Sequence, residues 1–73
     1  MDDDYVKGVR LALAMIAPSQ TAAAKALNVS VQTIGRWRIG VAEPSPNNLA
    51  RLARRSGLTE DQIRSGRIEE MTV

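Results

Sequence analysis

The chain has 73 residues, 44% of them hydrophobic and 25% charged, and this length suits one small domain. It contains no Cys and no His, so it lacks a thiolate nucleophile, an imidazole base and the two side chains most used to bind zinc. A chain this short buries only about 60% of the surface that its unfolded form exposes, which is too little to enclose a deep catalytic pocket. The sequence therefore predicts a protein that is not an enzyme and that uses no metal, cofactor or small-molecule ligand.

The net charge of +2 hides an uneven distribution along the chain. Residues 5–59 carry eight basic side chains against one acid, Glu43, which gives this segment a charge of +7. The other acids lie at the two ends, in Asp2 to Asp4 and after residue 59. A basic body favours a polyanionic partner, although a solvated basic surface has the same composition.

Targeting segments are not expected in this sequence. The longest apolar run, Leu11 to Ala17, has seven residues and is too short to span a bilayer. The N-terminus opens with three Asp instead of the basic residues of a signal peptide. Together with the absence of Cys, these features predict a cytoplasmic protein without a membrane segment.

The first predicted helix covers residues 4–16. Tyr5, Val9, Ala12 and Ile16 recur with the 3.6-residue period of an amphipathic helix. The three Asp at its start favour the positive end of the helix dipole, and they indicate a capped and frayed end more than a metal site. Pro18 disfavours helical geometry in the residue before it, so the helix should end there.

Two further helices follow, separated by only three residues. Ser19 is a suitable N-cap for a helix over 20–27, and Ser30 for a helix over 31–39. Asn28 tolerates the left-handed conformation that ends a helix sharply, and Gly40 does the same for the second helix. Two short helices joined by a three- or four-residue turn form a helix-turn-helix, here about residues 20–39.

The remaining chain predicts two more helices and a tail. Ser45 and Pro46 can cap and begin a helix that runs to about Ser56 and ends at Gly57. Thr59-x-x-Gln62 is a capping box that opens a short fifth helix around Ile63. We therefore predict an all-α bundle of five short helices in residues 1–65, followed by a frayed tail in residues 66–73.

Helix 31–39 divides into a core face and an exposed face. Ile34 and Trp37 lie three residues apart and share one face, which should pack against helix 20–27. The opposite face then presents side chains suited to the major groove of DNA, because Arg binds guanine, Gln binds adenine and an apolar group contacts the thymine methyl. These residues are Val31, Gln32, Gly35 and Arg36, with Arg38 at the edge.

The segment from Gln20 to Ser30, with Thr33 to Gly40, resembles the helix-turn-helix of the Cro and phage-repressor (XRE-like) family. The resemblance continues through Leu49-x-x-Leu52-Ala53 to Ile63 and implies a lambda-repressor-like fold. Asn28 stands where the family usually has Gly, and both residues tolerate the turn conformation. Gly35 replaces a polar residue, and it either lets the helix approach DNA closely or is merely tolerated.

The resemblance also implies a function and a contact set. The chain would be a sequence-specific transcriptional regulator of duplex DNA, similar to a phage or prophage Cro-like repressor, binding a pseudo-palindromic operator as a homodimer. The dimer would form through a patch near the fifth helix and the tail, or only on DNA. Base contacts would come from Val31, Gln32, Gly35 and Arg36. Phosphate contacts would come from Gln20, Ser30, Arg38, Asn47 and Asn48, near the loop 40–45.

An antitoxin-like or adaptor module for protein interaction is the alternative. Such a module would need an apolar patch on the exposed face of helix 31–39, where the sequence has Gln32, Gly35 and Arg36. Trp37 is expected in the core, and Tyr5 is expected to pack on the first helix. Arg51, Arg54 and Arg55 are expected to form a solvated face of the fourth helix.

Overall fold

The computed structural model describes residues 1–67, which form five α-helices and no strand. This confirms the predicted all-α class. The expected frayed tail falls mainly on residues 68–73, which lie outside the described part. The helices are α1 (Asp3–Ile16), α2 (Gln20–Leu27), α3 (Val31–Ile39), α4 (Pro46–Ser56) and α5 (Glu60–Ser65).

Local capping fixes where each helix begins. Ser19, Ser30 and Ser45 each accept a hydrogen bond from the backbone N–H three residues ahead, as the sequence predicted. Thr59 does the same within a complete capping box, in which Gln62 Oε1 accepts from the N–H of Thr59 at 2.8 Å.

The first helix begins at Asp3, one residue earlier than predicted. Its N-cap is Asp2, whose Oδ1 accepts from the N–H of Tyr5 at 2.8 Å. The acidic N-terminus is therefore capped in the way the sequence indicated, and Asp3 and Asp4 lie in the first turn of the helix, where their charge suits the helix dipole.

Left-handed residues end the next helices. Asn28 takes φ 58° at the end of α2, and Gly40 takes φ 79° at the end of α3. Asn28 is the one non-glycine residue of the described chain with positive φ, which is the conformation that this turn requires. Since Asn accepts it at low cost, the replacement of the family's Gly leaves the turn intact.

The core lies where the five helices meet. Val9, Ile34 and Leu52 are fully buried, and Trp37 is 2% exposed, which confirms its assignment to the core. All described helices contribute to one hydrophobic cluster. Its buried members are Val9, Ala12, Leu13, Ala23, Ala24, Leu27, Ile34, Trp37, Leu49, Leu52, Leu58 and Ile63.

Two glycines bring α1 and α5 into backbone contact. A Cβ atom on Gly8 would overlap the carbonyl oxygen of Ile63, and one on Gly66 would lie 2.7 Å from the carbonyl oxygen of Asp4. Neither contact was predicted from the sequence. Because no side chain separates the backbones at Gly8, the short α5 sits directly on α1, and this packing completes the bundle around Ile63.

None of the helices in residues 1–67 is both long and apolar enough to cross a membrane.

Candidate nucleic-acid interface

The position of α3 is set by its buried face. Ile34 is fully buried and Trp37 is 2% exposed, and both belong to the cluster that contains Ala23 and Ala24 of α2. The turn between the two helices is closed by a hydrogen bond from the N–H of Val29 to the carbonyl of Ala24, at 3.0 Å. Small residues in α2 let the helices approach closely, so α3 is held against α2 by its apolar side and its other side faces outward.

The outward side of α3 brings together most of the residues predicted to contact bases. Gln32 and Arg36 are exposed, and Val31 is 42% exposed at the first helical position. Arg38 is exposed in the last turn. The surface therefore offers one apolar side chain, one amide and two guanidinium groups along a single short helix, which is the donor and methyl-contact chemistry of major-groove recognition.

Gln20, the first residue of α2, bridges the two ends of α3. Its Nε2 donates to the carbonyl oxygen of Val31 at 3.2 Å, and its Oε1 accepts from Nη1 of Arg38 at 3.1 Å. The half-buried amide thus joins the N-terminus of α2 to the first and last turns of α3. Sequence reasoning predicted a phosphate contact for Gln20 and did not predict this bridge.

Gly35 lies beneath the bridging amide. A Cβ atom at this position would sit 3.1 Å from Nε2 of Gln20, which is tighter than ordinary contact. The two interpretations offered from the sequence were close approach to DNA and simple tolerance. The structure adds a third reason for the glycine, since it leaves space for the Gln20 side chain. A base contact by Gly35 stays a prediction.

Arg10 of α1 lies beside Gln20 and Arg38, and the sequence did not predict a role for it in this interface. It lines a cleft of about 350 Å³ together with Gln20, Gly35 and Arg38. Val6 and Ile39 complete the cleft. Two arginines from different helices therefore flank the N-terminal residue of α2, where a helix end favours anions. Only the packing of α1 against α3 could have revealed Arg10.

The other predicted phosphate contacts lie at helix N-termini. Ser30 Oγ accepts from the N–H of Thr33 at 3.1 Å and is 2.8 Å from the Thr33 hydroxyl oxygen. Asn47 is exposed and Asn48 is half-buried in the first turn of α4, where the N–H of Asn48 donates to Ser45. Their contacts with DNA stay predictions.

The three arginines of α4 are exposed, as the sequence indicated, and one of them also bonds to α2. Nη1 of Arg51 donates to the carbonyl oxygen of Leu27 at 3.2 Å, so this side chain satisfies a free carbonyl at the end of α2. Arg54 and Arg55 are exposed. All three line a groove of about 560 Å³ beside Asn28. The contact of Arg51 with Leu27 was not predicted, because helical periodicity does not show which element packs beside an exposed residue.

Tyr5 contacts more than the first helix. It lines a small cavity with Pro44, Leu49 and Arg64, at the junction of α1, α4 and α5. Burial raises the pKa of its hydroxyl above the usual value of 10.0, while a hydrogen bond and the positive charge of Arg64 act in the opposite direction.

Within residues 1–67, no three acidic side chains gather closely enough to hold a metal ion.

Comparison with known proteins agrees with the helix-turn-helix arrangement of α2 and α3. A family model described as helix-turn-helix matches residues 19–63, from the N-cap of α2 to Ile63. A Haemophilus influenzae protein named as an uncharacterized HTH-type transcriptional regulator is 38% identical over 47 residues, which are 64% of this chain and 20% of that protein. The chain thus spans about a fifth of that relative. No solved structure matches. Since the family model covers more than half of the chain, the protein belongs to the XRE-type helix-turn-helix family.

Proposed function

We propose that this chain is the DNA-binding domain of a transcriptional regulator and that α3 enters the major groove. The observation that carries the proposal is the division of α3, with Ile34 and Trp37 buried while Gln32 and Arg36 are exposed. A helix held on its apolar side can present its polar side to base edges without reorganisation. The N-terminal residues of such a helix lie closest to the bases, which favours Val31 and Gln32 as readers.

The charge distribution supports binding to a duplex. Arg10 and Arg38 flank the N-terminus of α2, where backbone N–H groups attract a phosphate. Asp3, in the first turn of α1, lies seven residues before Arg10, about 10 Å away along the helix axis. Phosphate contacts of this kind position the protein on the duplex, and base contacts from α3 supply the sequence preference.

The finer proposal is a Cro-like repressor that acts by occluding a promoter. One α3 of nine residues covers only a short half-site. Two copies on a pseudo-palindrome would place their reading helices about 34 Å apart, one turn of DNA. The named relative supports regulation of transcription, and repression by a homodimer is the simplest mechanism for a domain of this size.

The test is selection of bound duplexes from a random pool, followed by affinity measurements on the selected sequence. We expect a defined half-site motif and a Kd that rises steeply with salt concentration, because phosphate contacts release counterions. A flat salt dependence or the recovery of random sequences would contradict the proposal. Recovery of random sequences is the result expected for an adaptor that does not bind DNA.

A further inference from the structure

A groove of about 560 Å³ lies beside the C-terminal ends of α2 and α4. Its lining residues come from these two helices and from the turn after α2: they are Ala26, Leu27, Asn28, Arg51, Arg54 and Arg55. Since α2 ends at Leu27 and α4 at Ser56, both helices run toward the groove. We name this feature the basic groove.

The three arginines of the basic groove lie on one face of α4. Arg54 and Arg55 follow Arg51 by three and four residues, which is the spacing of neighbours on a helix surface. Like charges at this spacing repel each other and destabilise a helix. Helix α4 has no acidic residue, and none lines the basic groove in the described part of the chain. The positive cluster is therefore not neutralised by an acid within the groove.

The helix ends account for only part of this charge. Each helix C-terminus carries about half a negative charge, so the two ends supply about one negative charge against three guanidinium groups. Nη1 of Arg51 already donates to the carbonyl oxygen of Leu27 at 3.2 Å. The guanidinium groups of Arg54 and Arg55 are exposed and have no hydrogen bond or ion pair with a residue of 1–67. These two groups are available to an anionic ligand.

The basic groove lies away from the helix ends where we expect DNA phosphates. Gln20 precedes Leu27 by seven residues, about 10 Å along α2, and Asn47 precedes Arg54 by the same distance along α4. Those N-terminal ends attract phosphates, whereas C-terminal ends do not. None of the predicted base contacts lines the basic groove, although the groove borders the turn that leads into α3. A duplex held by the N-terminal ends would leave the groove open.

The arginine spacing suits an extended peptide with acidic side chains. Arg51 and Arg55 are attached about 6 Å apart along the axis of α4. In an extended segment, alternate side chains point to the same side about 7 Å apart. A carboxylate accepts two parallel hydrogen bonds from one guanidinium group. A segment with an acid at every second position can therefore pair with successive arginines of α4.

We propose that the basic groove is a docking surface for an extended acidic segment of a partner protein. Arg54 and Arg55 supply the main ion pairs, and Arg51 adds its remaining N–H groups while it stays bonded to Leu27. This inference goes beyond the proposed function and does not depend on it. Ion pairs at exposed positions are individually weak, so the interaction is salt-sensitive and transient.

The test is an NMR titration of the full chain, labelled with nitrogen-15, at low salt. The probe is a synthetic peptide of about eight residues in which glutamate and serine alternate. We expect saturable shifts of the amide signals of Asn28, Arg51, Arg54 and Arg55, with a Kd of about 0.1–1 mM that rises with salt. The same peptide with glutamine in place of glutamate should give no shifts.

Two variants with equal loss of charge separate the basic groove from general attraction. Arg54→Gln/Arg55→Gln should weaken peptide binding by at least about fivefold and keep the thermal stability, because both side chains are exposed. Lys7→Gln/Lys25→Gln removes two exposed positive charges outside the groove and should change binding by less than about twofold. Equal weakening in the two double variants would overturn the proposal.

Two other results of the titration would also overturn it. One is the absence of shifts up to about 5 mM peptide. The other is a set of shifts confined to Gln32, Arg36 and Arg38, which would show that the peptide only imitates phosphates at the outward side of α3.

A duplex that carries the selected half-site tests DNA as the alternative occupant of the basic groove. We expect Arg54→Gln/Arg55→Gln to leave the salt dependence of duplex binding nearly unchanged. A slope lowered by about 2, one for each lost phosphate contact, would assign the groove to DNA and overturn the proposal. If the wild type binds no duplex, the proposed function fails, while the peptide titration still decides this inference.

Discussion

Arg38 donates from Nη1 to Oε1 of Gln20 across 3.1 Å, a contact between residues 18 positions apart in the chain. The same amide donates to the carbonyl of Val31 at 3.2 Å, so one side chain of α2 is bonded to both ends of α3. The bridge constrains the rotation of α3 against α2. It also holds the Gln20 side chain beside Arg10 at the end of α2, where we expect a phosphate.

Replacement of Gln20 tests the bridge and the phosphate contact together. Gln20→Ala removes both hydrogen bonds and should lower the free energy of unfolding by about 0.5–1.5 kcal/mol, measured by urea denaturation. Gln20→Glu retains an acceptor for Arg38 but places a negative charge near the expected phosphate. We therefore expect Gln20→Glu to weaken DNA binding more than Gln20→Ala, most clearly at low salt. Equal losses in the two variants would show that Gln20 only positions α3.

Gly35→Ala should separate helix stability from DNA binding. The new methyl group gains up to about 1 kcal/mol of helix propensity, but it lies 3.1 Å from Nε2 of Gln20 and displaces that flexible side chain. We expect unchanged or slightly higher thermal stability and weaker DNA binding. In Gln20→Ala the same substitution should have no effect on affinity, so a double-mutant cycle measures the coupling. An additive loss would point to a direct contact of Gly35 with DNA.

Arg36→Ala should change base preference. Loss of a bidentate contact with guanine costs about 1–3 kcal/mol and relaxes specificity at one base pair, which repeated duplex selection would show. Arg54→Ala on α4 is the matched control, because it removes the same charge from an exposed position outside α3. It should lower affinity for all sequences alike. An unchanged base preference in Arg36→Ala would show that Arg36 does not contact a base.

Gly8→Ala should strongly destabilise the fold. Its Cβ would overlap the carbonyl oxygen of Ile63, and backbone cannot move aside as a flexible side chain can, so we expect a loss of about 3 kcal/mol or more. Gly57→Ala is the control, since nothing lies within 4 Å of its Cβ and only its left-handed φ of 83° is unfavourable. That variant should lose about 1–2 kcal/mol. Denaturation curves in which Gly8→Ala is the milder change would contradict the close packing of α1 on α5.

Tyr5 predicts a loss of stability at alkaline pH. The raised pKa of the folded state means that the neutral hydroxyl is favoured in the fold, so its contribution is complete below the unfolded pKa near 10 and is lost as pH rises through the folded pKa. We expect the tyrosinate absorbance to appear at higher pH in the folded chain than in urea. Tyr5→Phe should reduce the alkaline loss of stability relative to the wild type. Identical titrations in both states would contradict the burial effect.

The sequence by itself determined the helices and the two faces of α3. Caps and C-terminal residues act within three or four positions of the chain, so Ser19, Ser30 and Asn28 marked their helix ends correctly. The spacing of Ile34 and Trp37 identified the buried side and, by elimination, the exposed one. These signals are local, and local energetics do not depend on how the helices are arranged.

Only the tertiary structure decided which distant groups meet. The Gln20 bridge spans 11 and 18 residues, and Arg51 reaches the carbonyl of Leu27 across 24 residues. Such contacts depend on the angles and distances at which helices pack, and many arrangements share the same periodicity. Position 8 requires glycine because the backbone of α5 packs against it, and the sequence alone does not show this contact. The sequence shows how many arginine and apolar side chains the chain has. Packing decided which of them are exposed and which residues lie beside them.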